Sequence, residues 1–166
     1  ITMREFGARV YFRNVAQGEH DFDRVKVRTM LLSHPGHCLG YRIEYRERSI
    51  CYVTDNELFP KWTPYHDAHY FEQLSDFVAG ADVLITDATY TDEEYKSKVK
   101  WGHSCLSEVA RLATHAEVEA LHLFHHDPGQ TDDDIDEKLA TTRQLLEELG
   151  SAVTCVAPSE GQQYLI

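Results

Sequence analysis

An α/β fold is what this chain predicts, on three observations. Strand-like segments crowd its first part, helical and strand-like segments alternate beyond Phe71, and four strands break off at a histidine or an aspartate. Strands that come first and then alternate with helices belong to a layered sheet-and-helix architecture rather than a bundle. With 166 residues, the chain is long enough for one domain, 1–166, with a real core.

From the amino end, Ala8 to Phe12 (ARVYF) reads as a short strand and Asn14 to Asp23 as a polar connection. Val25, Val27, Thr29 and Leu31 then alternate with Lys26, Arg28 and Met30, the two-residue period of a half-buried strand that runs on to His34. Leu39 to Tyr45 and Ser49 to Thr54 flank a charged turn, Arg46-Glu47-Arg48, and form an antiparallel hairpin with Asp55 just past its end. Asn56 to His69, interrupted by Pro60 and Pro64, is a loop over one face. Phe71, Leu74, Phe77 and Val78 share a helical face that Gly80 ends. Asp82 to Thr86 is a buried strand leading to Asp87, and Thr91 to Lys100 is charged enough for a short solvated helix. Ser104 is placed to cap a helix whose core face is Leu106, Val109, Leu112 and Ala113. Ala120 to Phe124 is a strand ending at His125. Thr131 with Asp132, Asp133 and Asp134 opens a helix that buries Ile135, Leu139, Leu145 and Leu146 and stops at Gly150. Ala152 to Val156 closes the chain as a strand.

A net charge of −12, with 16 Lys+Arg against 28 Asp+Glu, argues against general binding to nucleic acid or to an anionic membrane, and toward a small or metal-bound partner. Cys38, Cys51, Cys105 and Cys155 are widely spaced and form no CxxC pair, so a reducing cytoplasmic setting is expected. No apolar run reaches membrane-spanning length, and no signal-peptide pattern opens the chain. The start at Ile1, with Met3 inside, fits a piece of a longer product.

His34, Asp55, Asp87 and His125 sit where a strand holds a terminal side chain rigidly beside an open loop, a good place for metal ligands. Each also has an ordinary reading. His34 can be a loop histidine, Asp55 a turn former bonding its own backbone, and Asp87 either a capping carboxylate or an inward-pointing acid. His125 and His126 are neighbours in extended chain, so at most one faces a given ion, and the other is left to Asp127 or solvent. His103 stands alone in the loop WGHS. Tyr65, Tyr90 and Trp101 read mainly as packing residues, and the other histidines as surface or structural ones. The collection weighs more than its members, because folding alone does not explain so many polar groups at one sheet edge.

The order of His34 before Gly40-Tyr41-Arg42, YVTD ending at Asp55, DATY from Asp87, Gly102-His103-Ser104 and LFH ending at His125 resembles the metallo-β-lactamase fold, in its ribonuclease Z and cyclic phosphodiesterase branch. That resemblance implies an αββα sandwich. It implies metal-ligand roles for His34 and His125 and a metal-bridging role for Asp55. Asp87 would orient His103, which would act as proton donor; here the family's His-Glu-Ala-Thr-like motif reads Thr86-Asp87-Ala88-Thr89. The family's His-x-His-x-Asp-His signature is absent from the 166 residues, so the chain is expected to be the later part of the domain, incomplete on its N-terminal side. A partner chain or second copy would then complete the sheet.

The residue types suit the implied chemistry. Two divalent ions about 3.5–4 Å apart need a carboxylate that offers an oxygen to each, which an aspartate can do and a histidine cannot. Imidazole and carboxylate together accept zinc, manganese or iron. The expected activity is a dinuclear metal-dependent hydrolase acting on a small or cyclic phosphodiester. The alternative is a catalytically silent fragment or interaction subunit without metals.

Overall fold

A computed structural model of the chain describes Gly7 and residues 10–166. Its strands are β1 (Gly18–Phe22), β2 (Val25–Leu31), β3 (Leu39–Tyr45), β4 (Arg48–Val53), β5 (Val83–Asp87), β6 (Ala120–Phe124) and β7 (Thr154–Val156). Four helices join them: α1 (Ala68–Val78), α2 (Asp92–Tyr95), α3 (Leu106–His115) and α4 (Asp132–Glu148). The sheet order follows the chain, β1 to β7; β1 to β4 pair antiparallel and β4 to β7 parallel. Hairpins suffice for the first half, whereas each parallel step needs a crossover, and those crossovers carry the helices.

One face of the sheet makes the core. Cys51, Val53, Leu84, Leu121, Leu123 and Cys155 meet Leu74 and Val78 of α1, Val109 and Leu112 of α3, and Leu146 of α4. Arg42 is buried on the same side and caps the end of α1, donating to the carbonyls of Phe77 (3.3 Å) and Ala79 (2.8 Å). The opposite face is largely uncovered. Phe22, Ile43, Tyr45, Tyr52 and Phe124 are exposed there, and the C-terminal tail reaches it where Tyr164 packs on His122, ring centroids 4.6 Å apart. No helix among the described residues is long and apolar enough to cross a membrane.

Several expectations need correcting. The segment read as a polar connection contains β1, an edge strand that pairing with β2 imposes on a sequence with no clear alternation. Of the strand expected at ARVYF, Ala8 and Arg9 lie outside the described residues, and Val10–Phe12 has no regular structure. The charged helix is only the single turn Asp92–Tyr95, and Tyr95 is buried, because its hydroxyl has a buried partner in Glu57. Ser104 does not cap α3; the N-cap is Cys105, and Ser104 is buried with its hydroxyl donating to the Asn56 carbonyl (2.6 Å). On α4 the buried side chains are Lys138, Thr142 and Leu146, while Ile135, Leu139 and Leu145 are half-buried.

Candidate metal centre

The site collects at the carboxyl ends of three adjacent parallel strands: Asp55 beyond β4, Asp87 at the end of β5 and His125 just after β6. In open α/β sheets this edge is where loops diverge and leave a crevice. Asp55 and His125 both hold left-handed backbone, φ +54° and +55°, which turns their side chains toward each other across the strand ends. His125 Nε2 lies 2.8 Å from Asp55 Oδ1.

Asp87 is fully buried and surrounded by donors. Its Oδ2 lies 2.6 Å from His103 Nδ1 and accepts from the Asn56 amide at 3.3 Å. Its Oδ1 accepts from the amides of Thr89 (3.2 Å) and Ser104 (3.3 Å) and from the Thr89 hydroxyl (2.8 Å). A carboxylate buried this way is kept in place by its hydrogen bonds. The bond to Asp87 holds the His103 pKa above the ordinary histidine value, against the downward pull of burial. The His103 ring stacks on His125, centroids 4.6 Å apart.

Donor atoms of Asp55, Asp87, His103 and His125 lie within 4.8 Å of one another. Two carboxylates and two imidazoles so gathered are a donor set that fits a divalent cation. Behind His125, its Nδ1 is 3.1 Å from the Thr89 hydroxyl, the kind of rear partner that fixes a ligating imidazole's orientation and leaves Nε2 facing forward. His34 stands outside this group of four. Its ring is 5.7 Å from that of His103, and its Nδ1 accepts from the Gly36 amide at 3.1 Å. The ring rests on Gly102 (φ +93°), where a Cβ would come within 2.4 Å of His34 Cδ2, so only glycine fits that position.

His126 turns the other way, as alternation requires, but its partner is neither Asp127 nor solvent. Lys138 Nζ lies 3.0 Å from His126 Nδ1 and donates to the Thr89 carbonyl (3.0 Å) and Gln130 Oε1 (2.9 Å). Burial first, and Lys138 second, push the His126 pKa down to about 4, so the ring is neutral and its Nδ1 accepts a hydrogen bond from the lysine; burial brings Lys138 down to about 8. Lys138 and the buried carboxylate Glu57 escaped notice in the sequence, and Thr89 was seen there only as the end of the Thr86-Asp87-Ala88-Thr89 motif, without a role. The TDATY run alone could have pointed to Thr89.

A family model described as a beta-lactamase superfamily domain matches residues 10–126. Ribonuclease Z of Thermoplasma acidophilum is 29% identical over 149 residues, covering 68% of this chain and 48% of that protein. Ribonuclease Z of Clostridium kluyveri is 32% identical over 121 residues, covering 72% of this chain and 34% of that one. Among solved structures, the metallo-beta-lactamase fold protein YhfI from Bacillus subtilis superposes with a TM-score of 0.63 at 16% identity, over 84% of this chain and 49% of its own. A diphosphatase from the PhnP family superposes with a TM-score of 0.56 at 16% identity, over 93% and 49%. The chain thus spans about half, or less, of the length of these relatives. With the sheet order, the strand-end donor cluster and the family match agreeing, the chain belongs to the beta-lactamase superfamily and has the metallo-β-lactamase fold.

Proposed function

We propose that this chain carries the donor edge of a metal-dependent phosphodiesterase that acts on a small or cyclic phosphodiester, with a centre of two divalent ions, zinc, manganese or iron. The observation that carries the reading is the Asp87–His103 pair, 2.6 Å apart, beside the facing Asp55 and His125. Asp55 and His125 would hold metal, Asp55 being able to bridge, and His34 would join them as a ligand once its ring is turned from its seat on Gly102. Bound metal would supply charge stabilisation on the phosphoryl oxygens and a more acidic water. Asp87 fixes the His103 ring through Nδ1, leaving Nε2 free to deliver a proton to the departing ester oxygen, so that the ester and water become a monoester and an alcohol. The names of the ribonuclease Z relatives favour RNA as the ester, while the net charge of −12 weighs toward a small substrate.

Two variants test the assignment. Asp55→Ala should abolish metal binding, measured by elemental analysis. His103→Ala should retain metal yet hydrolyse bis(p-nitrophenyl) phosphate on the order of 10²-fold more slowly. Loss of metal from the His103 variant would overturn the roles. A silent interaction subunit is the second reading, favoured by His34 standing outside the donor group with its ring against Gly102; a chain that takes up no metal and has no turnover would select it.

A further inference from the structure

Glu57 follows Asp55 by two residues and is almost wholly buried, yet no cation pairs with it among the described residues. Its carboxylate is instead filled by three neutral donors. Oε1 accepts from the Tyr95 hydroxyl (2.6 Å) and the Lys100 amide (2.6 Å), and Oε2 accepts from the Gly102 amide (2.7 Å). Its own backbone amide donates to the Ser33 carbonyl at 2.8 Å, immediately before His34. One residue therefore touches the three loops that deliver Asp55, His34 and His103.

The loop from Lys96 to His103 needs such a fastening. Lys100 and Gly102 both lie in left-handed backbone, φ +72° and +93°, and their amides point inward without a partner in a helix or strand. Amides presented this way form a concavity that suits a carboxylate. Gly102 in turn packs against the His34 ring and precedes His103. An apolar side chain at position 57 would leave the Tyr95 hydroxyl and the two loop amides without an acceptor, so the position calls for an acceptor with two oxygens.

We infer that Glu57 is a positioning residue: by gripping the amides of Lys100 and Gly102 it sets His103 against Asp87 and locks the His103 loop to the Asp55 segment. The consequence for turnover rests on the function proposed above; the consequence for the loop does not.

The test uses Glu57→Gln in the full chain, with Tyr95→Phe as control, since the Tyr95 hydroxyl donates one bond to the same carboxylate and none to the Lys100 or Gly102 backbone. Because charge-assisted hydrogen bonds are roughly twice as strong as neutral ones, exchange of the Gly102 amide, followed by NMR, should speed up about tenfold in Glu57→Gln, with that of Leu121 in β6 unchanged. The metal-loaded variant should keep its metal and KM for bis(p-nitrophenyl) phosphate and lose kcat. Tyr95→Phe should lower thermal stability and leave Gly102 exchange and kcat at parental values. If Glu57→Gln does not fold, Glu57→Asp, which keeps the charge but withdraws it, is read by the same two measurements. Parental Gly102 exchange, or fast exchange with parental kcat, overturns the inference. If His103→Ala is itself fully active, the proposed function fails and amide exchange alone decides whether Glu57 holds the loop.

Discussion

Left-handed backbone costs an ordinary L-residue about 1 kcal/mol, and Asp55 and His125 both adopt it while facing each other at 2.8 Å. Asp23, Arg46, Lys100 and Glu117 hold the same kind of backbone in turns and loops, so what marks Asp55 and His125 is that their two donors face each other. Asp82 is a contrasting carboxylate whose role is to tie β4 to β5. Burial opposes its charge, but Arg48 (2.5 Å), the Ser49 amide (2.7 Å) and the Ser49 hydroxyl (3.1 Å) outweigh that and hold its pKa below the ordinary carboxylate value. A depressed folded-state pKa contributes stability above the unfolded-state pKa, near 4, and loses it as the pH falls through the folded value. Asp82→Asn should therefore be less stable than the parent at neutral pH, with the gap closing on acidification; urea unfolding at stepped pH measures it. Three members of the donor cluster were legible because Asp55, Asp87 and His125 interrupt strand patterns. Glu57 and Lys138 were not, since their meaning lies in buried bonds to partners 38 to 49 positions away. Lys138 in particular reads as one more solvated lysine on an acidic helix.

Helix α4 shows an element written plainly in its first turn. The Thr131 hydroxyl accepts from the Asp134 amide (3.3 Å) and the Asp134 carboxylate accepts from the Thr131 amide (2.7 Å), a reciprocal cap of the orphan donors. Thr131→Ala should cost about 1 kcal/mol in urea unfolding, with little effect on the Asp/His donor cluster. Strands β2 to β6 were equally readable, their apolar residues alternating or running together between turn signals. Strand β1 was hidden, because Gly-Glu-His-Asp-Phe gains its extended form from pairing with β2. The run around α2 misled in the other direction: its charges are solvated, but the single turn buries Tyr95 toward Glu57, a tertiary bond that charge density cannot reveal.

At the scale of the molecule, the α/β class was legible from the succession of elements, but not the one-sidedness of the layering. Position 43 on the uncovered face and position 84 on the helical face test it. Ile43→Lys should change the free energy of unfolding by less than about 0.5 kcal/mol, as at other exposed positions. Leu84→Ala, in the core, should cost about 2–5 kcal/mol by the same urea measurement. A large penalty at Ile43 would mean that something covers that face in solution. The sheet's sequential order has one more effect. Neighbouring strands keep a pitch of about 4.8 Å because backbone hydrogen bonding dictates it, and Asp55, Asp87 and His125 ride on three successive rungs of that ladder. The sheet is thus the ruler for the donor spacing, so wear in the helical layer should shorten the lifetime of the folded chain long before it alters the gauge of the centre.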